Sequence, residues 1–449
     1  MDRTREDVDW LEKPLILFIL PFLAAFALRA VLVAQGWPFW YDEIWTANFA
    51  AFPMPLGEAL RILREEDSHP PLGYLLYRLW AEVWGLRDPM THRDPEVEVG
   101  LRLLPALLGA GTAGITALLA RSLGASSLGG LLAGLLYATA PAALVKDAEV
   151  HVYPPAVFST ALALLFWARR AYLPFALAAT SAFYSHYLTL PLLLVPALGF
   201  GARGLLPYLA VFPWVLLALP QQLATLPEKS PFNPALEEGW ISITALAYLP
   251  GPVFFLLGLI LWSAVPASLY PRRTRPAGSA LITFLAAWLL VLPLATGFRT
   301  FTLRYAVLAL PLLFATSAAV FCRYFRPAAA SVLMLVPLVA WGASFSYQAV
   351  LVYAAFRSPS VLALRLQETP GRVVVPYGAY GTTIKYICRE CDVRSWDGTT
   401  TSLRGAYWVS GRGVLKVIQK ENPEVWEVLM REGQLIDQLG DVVVLWVKP

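Results

Sequence analysis

The sequence predicts an all-α polytopic membrane protein with about eleven transmembrane helices, followed by a small C-terminal α/β domain. Of its 449 residues, 57% are hydrophobic and only 15% are charged. That balance excludes a disordered chain and a conventional soluble enzyme. Residues 351–449 hold 22 of the 66 charged residues. We therefore expect an apolar body, 1–351, and a domain of ordinary globular composition, 352–449.

A helix needs about 20 apolar residues to cross the hydrocarbon layer. The first apolar run, 14–34, has no small-residue cleavage site at its end, so we expect it to be retained as an anchor. The runs that meet or approach the spanning length are 14–34, 99–120, 127–145, 152–168, 171–186, 187–202, 204–220, 243–265, 278–296, 305–322 and 328–350.

The apolar segment 72–86 decides the topology of everything after it. Its 15 residues are too few to cross the hydrocarbon layer, and its aromatic residues are typical of a helix that lies at the membrane surface. With this segment on the surface, nine arginines face the cytoplasm and five basic residues face outward, as the positive-inside rule favours. Outer loop one, 35–98, with a probable amphipathic helix at 55–66, and the C-terminal domain then lie outside the cell membrane.

The tail alternates strand-like and helix-like stretches, which predicts a small α/β domain. The expected strands are near 373–375, 407–409 and 442–447, and the expected helices are 379–389 and 423–432.

Charge and cysteine content exclude two further classes of protein. The formal net charge is only +4 and is spread over short loops, so we expect no nucleic-acid partner. With three cysteines, no disulfide framework supports the fold. Cys388 and Cys391 form a lone CxxC, which lacks the further ligands of a zinc site, so we expect a local disulfide.

Outer loop one carries the first candidate site residues. Asp42 and Glu43 follow the first span directly, and paired carboxylates at this place supply a general base, a metal ligand or only solubility. His69 lies in the sequence DSHPPL. Taken alone, it is interpreted as a polar residue before a proline turn.

The second outer loop packs Lys146, Asp147, Glu149, His151 and Tyr153 between two apolar spans. A solvated cap is one interpretation. The other is a functional site, since the Asp-x-Glu spacing suits a divalent cation, and we favour it because so short a loop does not need five polar groups for solubility.

Three further basic residues lie in or near the outer ends of spans. His186 lies at a predicted outer turn, and Arg304 lies in the last outer loop, where a guanidinium suits a phosphate or a lipid headgroup. For Arg29, inside the first span, we expect snorkelling or headgroup contact.

Taken together, these features resemble the polytopic glycosyltransferases of the C-type fold (GT-C), in particular the group of protein O-mannosyltransferases and the bacterial transferases that add aminoarabinose to lipid A. Those proteins carry an Asp-Glu pair after the first span, a His-Pro-Pro-Leu turn, an Arg-Leu-Pro-Ser-Ala-Leu stretch and a Glu-Ala-Arg-x-Tyr loop. The matching positions here are Asp42 and Glu43, His69 to Leu72, Arg102 to Leu107, and Glu149 to Tyr153.

The stretch Arg102 to Leu107 matches with changes, and two further departures concern charge. His151 stands where the family usually has Arg, and His186 stands near a family Lys. Because histidine is mostly neutral near pH 7, both changes weaken a permanent positive charge.

The resemblance implies an inverting transfer of a hexose or pentose from a polyprenyl phosphate, such as a dolichyl phosphate, to an unknown glycan, lipid or protein acceptor. Asp42 would be the general base, and Glu43 would orient Asp42 or the acceptor. Four cationic residues would bind the donor phosphate: Arg304, Lys146, Arg102 and His186. Four other residues would contact substrate: His69, Glu149, His151 and Tyr153.

A divalent cation, Mg²⁺ or Mn²⁺, held by Asp42, Asp147 and Glu149 is the alternative to arginine for stabilising the leaving phosphate. All of these roles require Asp42 and Arg304 to converge in one pocket.

Two other classes of protein compete with an enzyme. A transporter or flippase of lipid-linked or small substrates predicts discontinuous spans and charges at mid-membrane depth, whereas the polar residues here cluster at outer span ends. A non-catalytic scaffold predicts that replacing Asp42 by Asn leaves function intact.

Overall fold

The computed structural model describes the protein in segments. They are 14–52, 54–87, 93–229, 275–287, 303–326, 362–376, 378–411, 418–420, 422–439 and 442–448, with single residues at 329, 331, 332, 334, 335, 338, 360 and 415.

The described part of the chain is mostly helical, as predicted. The described residues before 230 form these α-helices: α1 Pro14–Val33, α2 Tyr41–Ala51, α3 Leu56–Glu66, α4 Leu72–Trp84, α5 Pro95–Leu123, α6 Ser127–Thr139, α7 Pro141–Lys146, α8 Tyr153–Ala168, α9 Tyr172–Phe183, α10 Thr189–Leu198 and α11 Leu206–Lys229. The later helices are α12 Arg275–Ala286, α13 Leu310–Tyr324, α14 Gly378–Ile387 and α15 Pro423–Glu432. Short 3₁₀ helices cover Gly201–Leu205, Leu303–Ala309 and Thr401–Leu403.

Sequence signals account for several helix starts. The Ser126 side chain accepts a hydrogen bond from the Gly129 backbone N–H at 3.0 Å and so caps α6. Proline stands in the first turn of α7, α8, α13 and α15, where its missing N–H costs nothing.

Four described segments are long and apolar enough to cross a membrane: Pro14–Val33, Pro95–Leu123, Gly201–Ala224 and Tyr305–Tyr324. Shorter apolar helices, α6, α8, α9 and α10, occupy four further predicted spans. Helix α12 covers the first part of the predicted span 278–296, whereas 243–265, the rest of 278–296 and most of 328–350 lie outside the described residues. The total of eleven spans therefore stays a prediction.

The chain divides into two compact units. Unit one comprises Met1–Ala34, Met54–Tyr77 and Arg102–Gln348, and unit two comprises Gln35–Pro53, Arg78–Leu101 and Ala349–Pro449. In this division, part of outer loop one is grouped with the C-terminal residues. The domain boundary between 351 and 352 stays a prediction.

Unit one is built on a core of small and aliphatic side chains. Alanine lines the buried faces of α5, α6, α8 and α9, and small residues allow helices to approach closely where packing, rather than water, drives association. Gly134 illustrates this approach, since a Cβ there would lie 2.7 Å from the Ala113 carbonyl oxygen.

The position of helix α4 at the membrane surface stays a prediction. It has 13 residues, about 20 Å at 1.5 Å per residue, the same length as α6. One face is buried, and the other exposes large apolar side chains, as expected for contact with lipid. The buried residues are Tyr74, Tyr77 and Ala81, and the exposed ones are Leu79, Val83 and Trp84.

Unit two contains a mixed five-stranded sheet of order β2-β1-β3-β5-β4. The strands are β1 Arg372–Val375, β2 Asp392–Ser395, β3 Ala406–Gly411, β4 Gly433–Leu439 and β5 Val442–Val447. Strand β1 pairs in parallel with β2 and β3, and β5 is antiparallel to β3 and β4. Trp408 and Val374 lie in the hydrophobic core beside this sheet.

The predicted disulfide is confirmed. Cys388 and Cys391 are bonded, with Cα atoms 5.4 Å apart, directly after α14. Both residues are buried. The bond therefore fixes the chain where the helix turns into strand β2.

Candidate active site

Helix α2 positions the two carboxylates of outer loop one differently. Asp42 is partly exposed, whereas Glu43 is fully buried. The Glu43 carboxylate accepts the Trp40 backbone N–H at 3.4 Å and so caps the helix to which both residues belong. Both lie in the first turn, where the helix dipole favours negative charge. Asp42 can therefore meet a substrate, while Glu43 fixes the start of its helix.

The His-Pro-Pro turn is organised by Asp67. Its carboxylate accepts the backbone N–H of Ser68, the backbone N–H of His69 at 2.9 Å and a hydrogen bond from His69 Nδ1 at 3.0 Å. Because a carboxylate can only accept, His69 carries a proton on Nδ1. Gln222 of α11 donates to the Leu63 carbonyl at 2.9 Å and holds the end of α3 next to this turn.

The loop after α7 is fixed by internal contacts. Lys146 Nζ contacts Glu149 Oε2 at 2.5 Å, and both side chains are nearly inaccessible. The Tyr77 hydroxyl donates to the His151 carbonyl at 2.9 Å and accepts the His151 N–H at 3.2 Å. A Cβ on Gly73 would lie 2.9 Å from the Val152 side chain, so the loop packs directly on α4.

His186 lies in the turn between α9 and α10. Its Nδ1 accepts the Leu188 backbone N–H at 3.2 Å, and its carbonyl accepts the Thr189 hydroxyl at 2.7 Å. Since Nδ1 is an acceptor, the neutral ring carries its proton on Nε2. His186 is therefore a hydrogen-bond donor even without a positive charge.

These segments bring five rings together, which we call the aromatic cluster: His69, His151, Tyr153, His186 and Tyr305. Ring centroids of His69 lie 5.5 Å from His151 and 5.2 Å from His186. His151 stacks on Tyr153 at 4.8 Å, and Tyr305 lies 5.7 Å from His186. The Lys146 ammonium lies 5.7 Å from the centre of Tyr153.

Four predicted site residues thus lie together in unit one, namely His69, His151, Tyr153 and His186. A fifth, Lys146, lies next to them. Arg102 is buried in α5. Arg304 belongs to the 3₁₀ helix Leu303–Ala309, but its side chain lies outside the described residues. The convergence of Asp42 and Arg304 therefore stays a prediction.

The expectation for Arg29 is wrong. Its side chain is fully buried inside the protein, and its Nη2 lies 2.6 Å from Asp147 Oδ2. Its Nη1 donates to the carbonyls of Ala25 and Ala138. The Tyr137 hydroxyl also donates to Asp147, at 3.1 Å. A buried charge is stable only with such partners, so this pair fastens the loop after α7 to α1 and α6.

Gly109 leaves room for that ion pair. A Cβ there would lie 2.4 Å from Asp147 Cγ, whereas nothing lies within 4 Å of a Cβ on Gly57. We expect Gly109→Ala to destabilise the protein by about 1–3 kcal/mol, as overpacking does. Gly57→Ala, also inside a helix, should instead be neutral or stabilising by up to about 1 kcal/mol. Thermal unfolding in detergent compares the two variants, and equal melting temperatures would contradict this packing.

The predicted metal ligands of the loop after α7 have other partners. Asp147 is held by Arg29 and Tyr137, and Glu149 by Lys146. Among the described residues, no group of three or more His, Cys, Asp or Glu side chains could hold a metal ion. These two carboxylates therefore do not fit a site for Mg²⁺ or Mn²⁺.

Sequence reasoning missed Asp67, Tyr77 and Tyr305. Asp67 stands two residues before His69, a spacing from which an Asx turn follows directly. Tyr77 fits the aromatic belt of a surface helix, and nothing in its sequence neighbourhood indicates that it binds the His151 backbone.

Part of this chain is similar to a known protein family. Residues 57–260, a little under half of the chain, match the model of the dolichyl-phosphate-mannose-protein mannosyltransferase family. The predicted resemblance is confirmed. The matched segment includes the His-Pro-Pro turn, Arg102, the loop after α7 and His186. Asp42 and Glu43 precede it. No curated protein matches the chain.

Solved structures are similar at low identity. The protein O-mannosyltransferase Pmt1–Pmt2 complex of S. cerevisiae, bound to the sugar donor, is 18% identical over 47% of this chain and 32% of its own, with a TM-score of 0.36. The chain thus spans about a third of that relative. ArnT from Cupriavidus metallidurans is 14% identical in both of its states. For the structure bound to undecaprenyl phosphate, the match covers 98% of this chain and 98% of that chain, with a TM-score of 0.47. For the apo structure, the match covers 96% of this chain and 97% of that chain, with a TM-score of 0.49.

Proposed function

We propose that this protein is a membrane glycosyltransferase that moves a sugar from a polyprenyl phosphate to an acceptor. The observation that carries the proposal is the match of residues 57–260 to a mannosyltransferase family. That segment contains four of the five residues of the aromatic cluster. Most of the clustered polar side chains therefore lie in the part of the chain that resembles the family.

The proposed chemistry is an inverting displacement at the anomeric carbon. The acceptor oxygen forms the new bond to that carbon, the bond to the phosphate oxygen breaks, and Asp42 takes the proton of the acceptor. Glu43, buried and capping α2, holds Asp42 in place. Donor and acceptor meet at the extracytoplasmic face of the cell membrane, where the isoprenoid tail stays in lipid.

The leaving phosphate gathers negative charge, which fixed hydrogen-bond donors in a shielded site stabilise. Lys146, Arg102, Arg304 and His186 are the proposed donors. The neutral His186 supplies an Nε2–H, so the replacement of a family lysine by histidine does not remove a donor. His69, Glu149, His151 and Tyr153 are assigned to the rest of the substrate.

The proposal is tested with purified protein in lipid and a panel of polyprenyl-phosphate hexoses and pentoses. We expect at least one donor to yield free polyprenyl phosphate together with a glycosylated acceptor. If membrane acceptors of the lipid, glycan and protein classes all stay unmodified with every donor, the proposal is wrong.

Because Asp147 and Glu149 are held by cationic side chains, we expect a metal chelator to leave the transfer rate within about twofold of the untreated rate. The measurement is initial rate before and after incubation with chelator, with Mg²⁺ or Mn²⁺ added back as the control. A loss of activity that either metal restores would instead support the metal hypothesis.

A further inference from the structure

Glu98 is a buried carboxylate in unit two that none of the assignments above uses. It lies in the first turn of α5 and is fully buried. Arg93 contacts it through Nε at 2.9 Å and through Nη2 at 2.8 Å. Glu98 Oε1 also accepts the backbone N–H of Phe39 at 3.1 Å. The charge is thus paired, as burial requires, and one oxygen binds the chain just before α2.

Phe39 is held from its other side by the C-terminal part of unit two. The Ser360 hydroxyl donates to the Phe39 carbonyl at 3.2 Å, and Ser360 is fully buried. The Tyr386 ring stacks on the Phe39 ring with centroids 6.2 Å apart, and its hydroxyl donates to Glu98 at 3.5 Å. Both backbone groups of Phe39 therefore have buried partners.

We call the contacts that Glu98, Ser360 and Tyr386 make with Phe39 the clamp. The clamp lies immediately before the residues proposed for catalysis. Phe39 precedes Asp42 by three positions. The next backbone N–H, of Trp40, is bound by Glu43 at 3.4 Å. Two successive peptide N–H groups are thus held by two carboxylates, Glu98 and Glu43. Arg93 also donates to the Gly36 carbonyl at 2.7 Å, so the approach to α2 is fixed at three points along the chain.

We propose that Glu98 is a positioning residue for Asp42 and that Ser360 and Tyr386 complete the clamp, so that the C-terminal residues of this chain are part of its catalytic machinery. The inference rests on the proposed function. Its physical basis is the steep dependence of rate on geometry, since a misplacement of about 1 Å costs about 10²-fold.

Glu98→Ala, Glu98→Gln and Ser360→Ala test the clamp through the kinetics of the full-length protein in lipid. We expect kcat to fall by about 10²-fold in Glu98→Ala and less in Glu98→Gln, because the amide oxygen still accepts the Phe39 N–H. The KM for the donor should stay within about twofold. Glu96→Gln is the matched control, since Glu96 lies in the same helical turn but is exposed, and it should turn over at the wild-type rate.

Amide hydrogen exchange of residues 39–43 gives a second readout that needs no substrate. We expect faster exchange in Glu98→Ala and Ser360→Ala than in Glu96→Gln, and a smaller increase in Glu98→Gln, whose amide oxygen still accepts the Phe39 N–H. If the Glu98 variants do not fold, Ser360→Ala and Tyr386→Phe, which each remove one hydroxyl group, decide the question by the same two measurements.

The two proposals fail in different ways. A wild-type protein without transferase activity would remove the proposed function, and the exchange measurement would still decide the clamp. Unchanged exchange at residues 39–43, or an unchanged kcat in Ser360→Ala and the Glu98 variants while Asp42→Asn is inactive, would overturn the positioning role.

Discussion

Replacing Asp42 by Asn is expected to lower the rate of sugar transfer by about 10²–10⁴-fold, the usual contribution of a general base. The amide keeps the shape of the side chain but cannot take the proton of the acceptor. Asp42 is partly exposed at the start of α2, so the change buries no new polar group. The measurement is the initial rate of transfer at saturating donor, together with the melting temperature.

Glu58→Gln is the matched control for Asp42→Asn. Glu58 is an exposed carboxylate in the first turn of the next helix, α3, and its replacement should change neither the rate nor the stability. A rate within about twofold of wild type in Asp42→Asn would remove Asp42 from the mechanism, and a melting temperature far below that of the control would assign it a structural role.

The largest expected effect on stability comes from the buried pair of Arg29 and Asp147. Removing one member leaves the other charge buried without its partner, which costs about 3–5 kcal/mol. We expect Arg29→Met and Asp147→Leu each to lower the free energy of unfolding by that amount, measured by denaturation in detergent.

The double variant distinguishes an ion pair from two independent contacts. When both charges are removed together, no buried charge is left unpaired, so the double variant should be more stable than either single variant. A loss equal to the sum of the two single losses would contradict direct coupling between these side chains.

The apolar segments were predictable because a helix that crosses a membrane needs a run of about 20 apolar residues, which is visible in the sequence. In the sheet, β1, β3 and β5 were predicted from their runs of valine and aromatic residues. Strands β2 and β4 were missed. β2 is short and polar, and β4 exposes Leu435 and Ile436 in a stretch with little apolar alternation, so only pairing with β1 and β5 identifies them as strands.

The residues of the site were readable from short stretches of sequence, and their long-range contacts were not. His69 was a candidate from the His-Pro-Pro turn, and His151 and Tyr153 from the short loop between two spans. Outside the site, the bond between Cys388 and Cys391 was predicted from a lone CxxC without further zinc ligands. The partner of Arg29 lies 118 residues away, and no local pattern distinguishes a snorkelling arginine from one paired inside a helix bundle. The aromatic cluster joins four separate segments, so its existence depended on tertiary packing.

The fate of the bond between sugar and phosphate tests the central claim most directly. Protein reconstituted in vesicles with a polyprenyl-phosphate sugar and a lysate-derived acceptor fraction should release free polyprenyl phosphate, and Asp42→Asn should release it about 10²–10⁴-fold more slowly. If the donor instead crosses the bilayer with this bond intact, at the same rate in both proteins, the chain is a transporter of lipid-linked sugars and the proposed transferase mechanism is wrong.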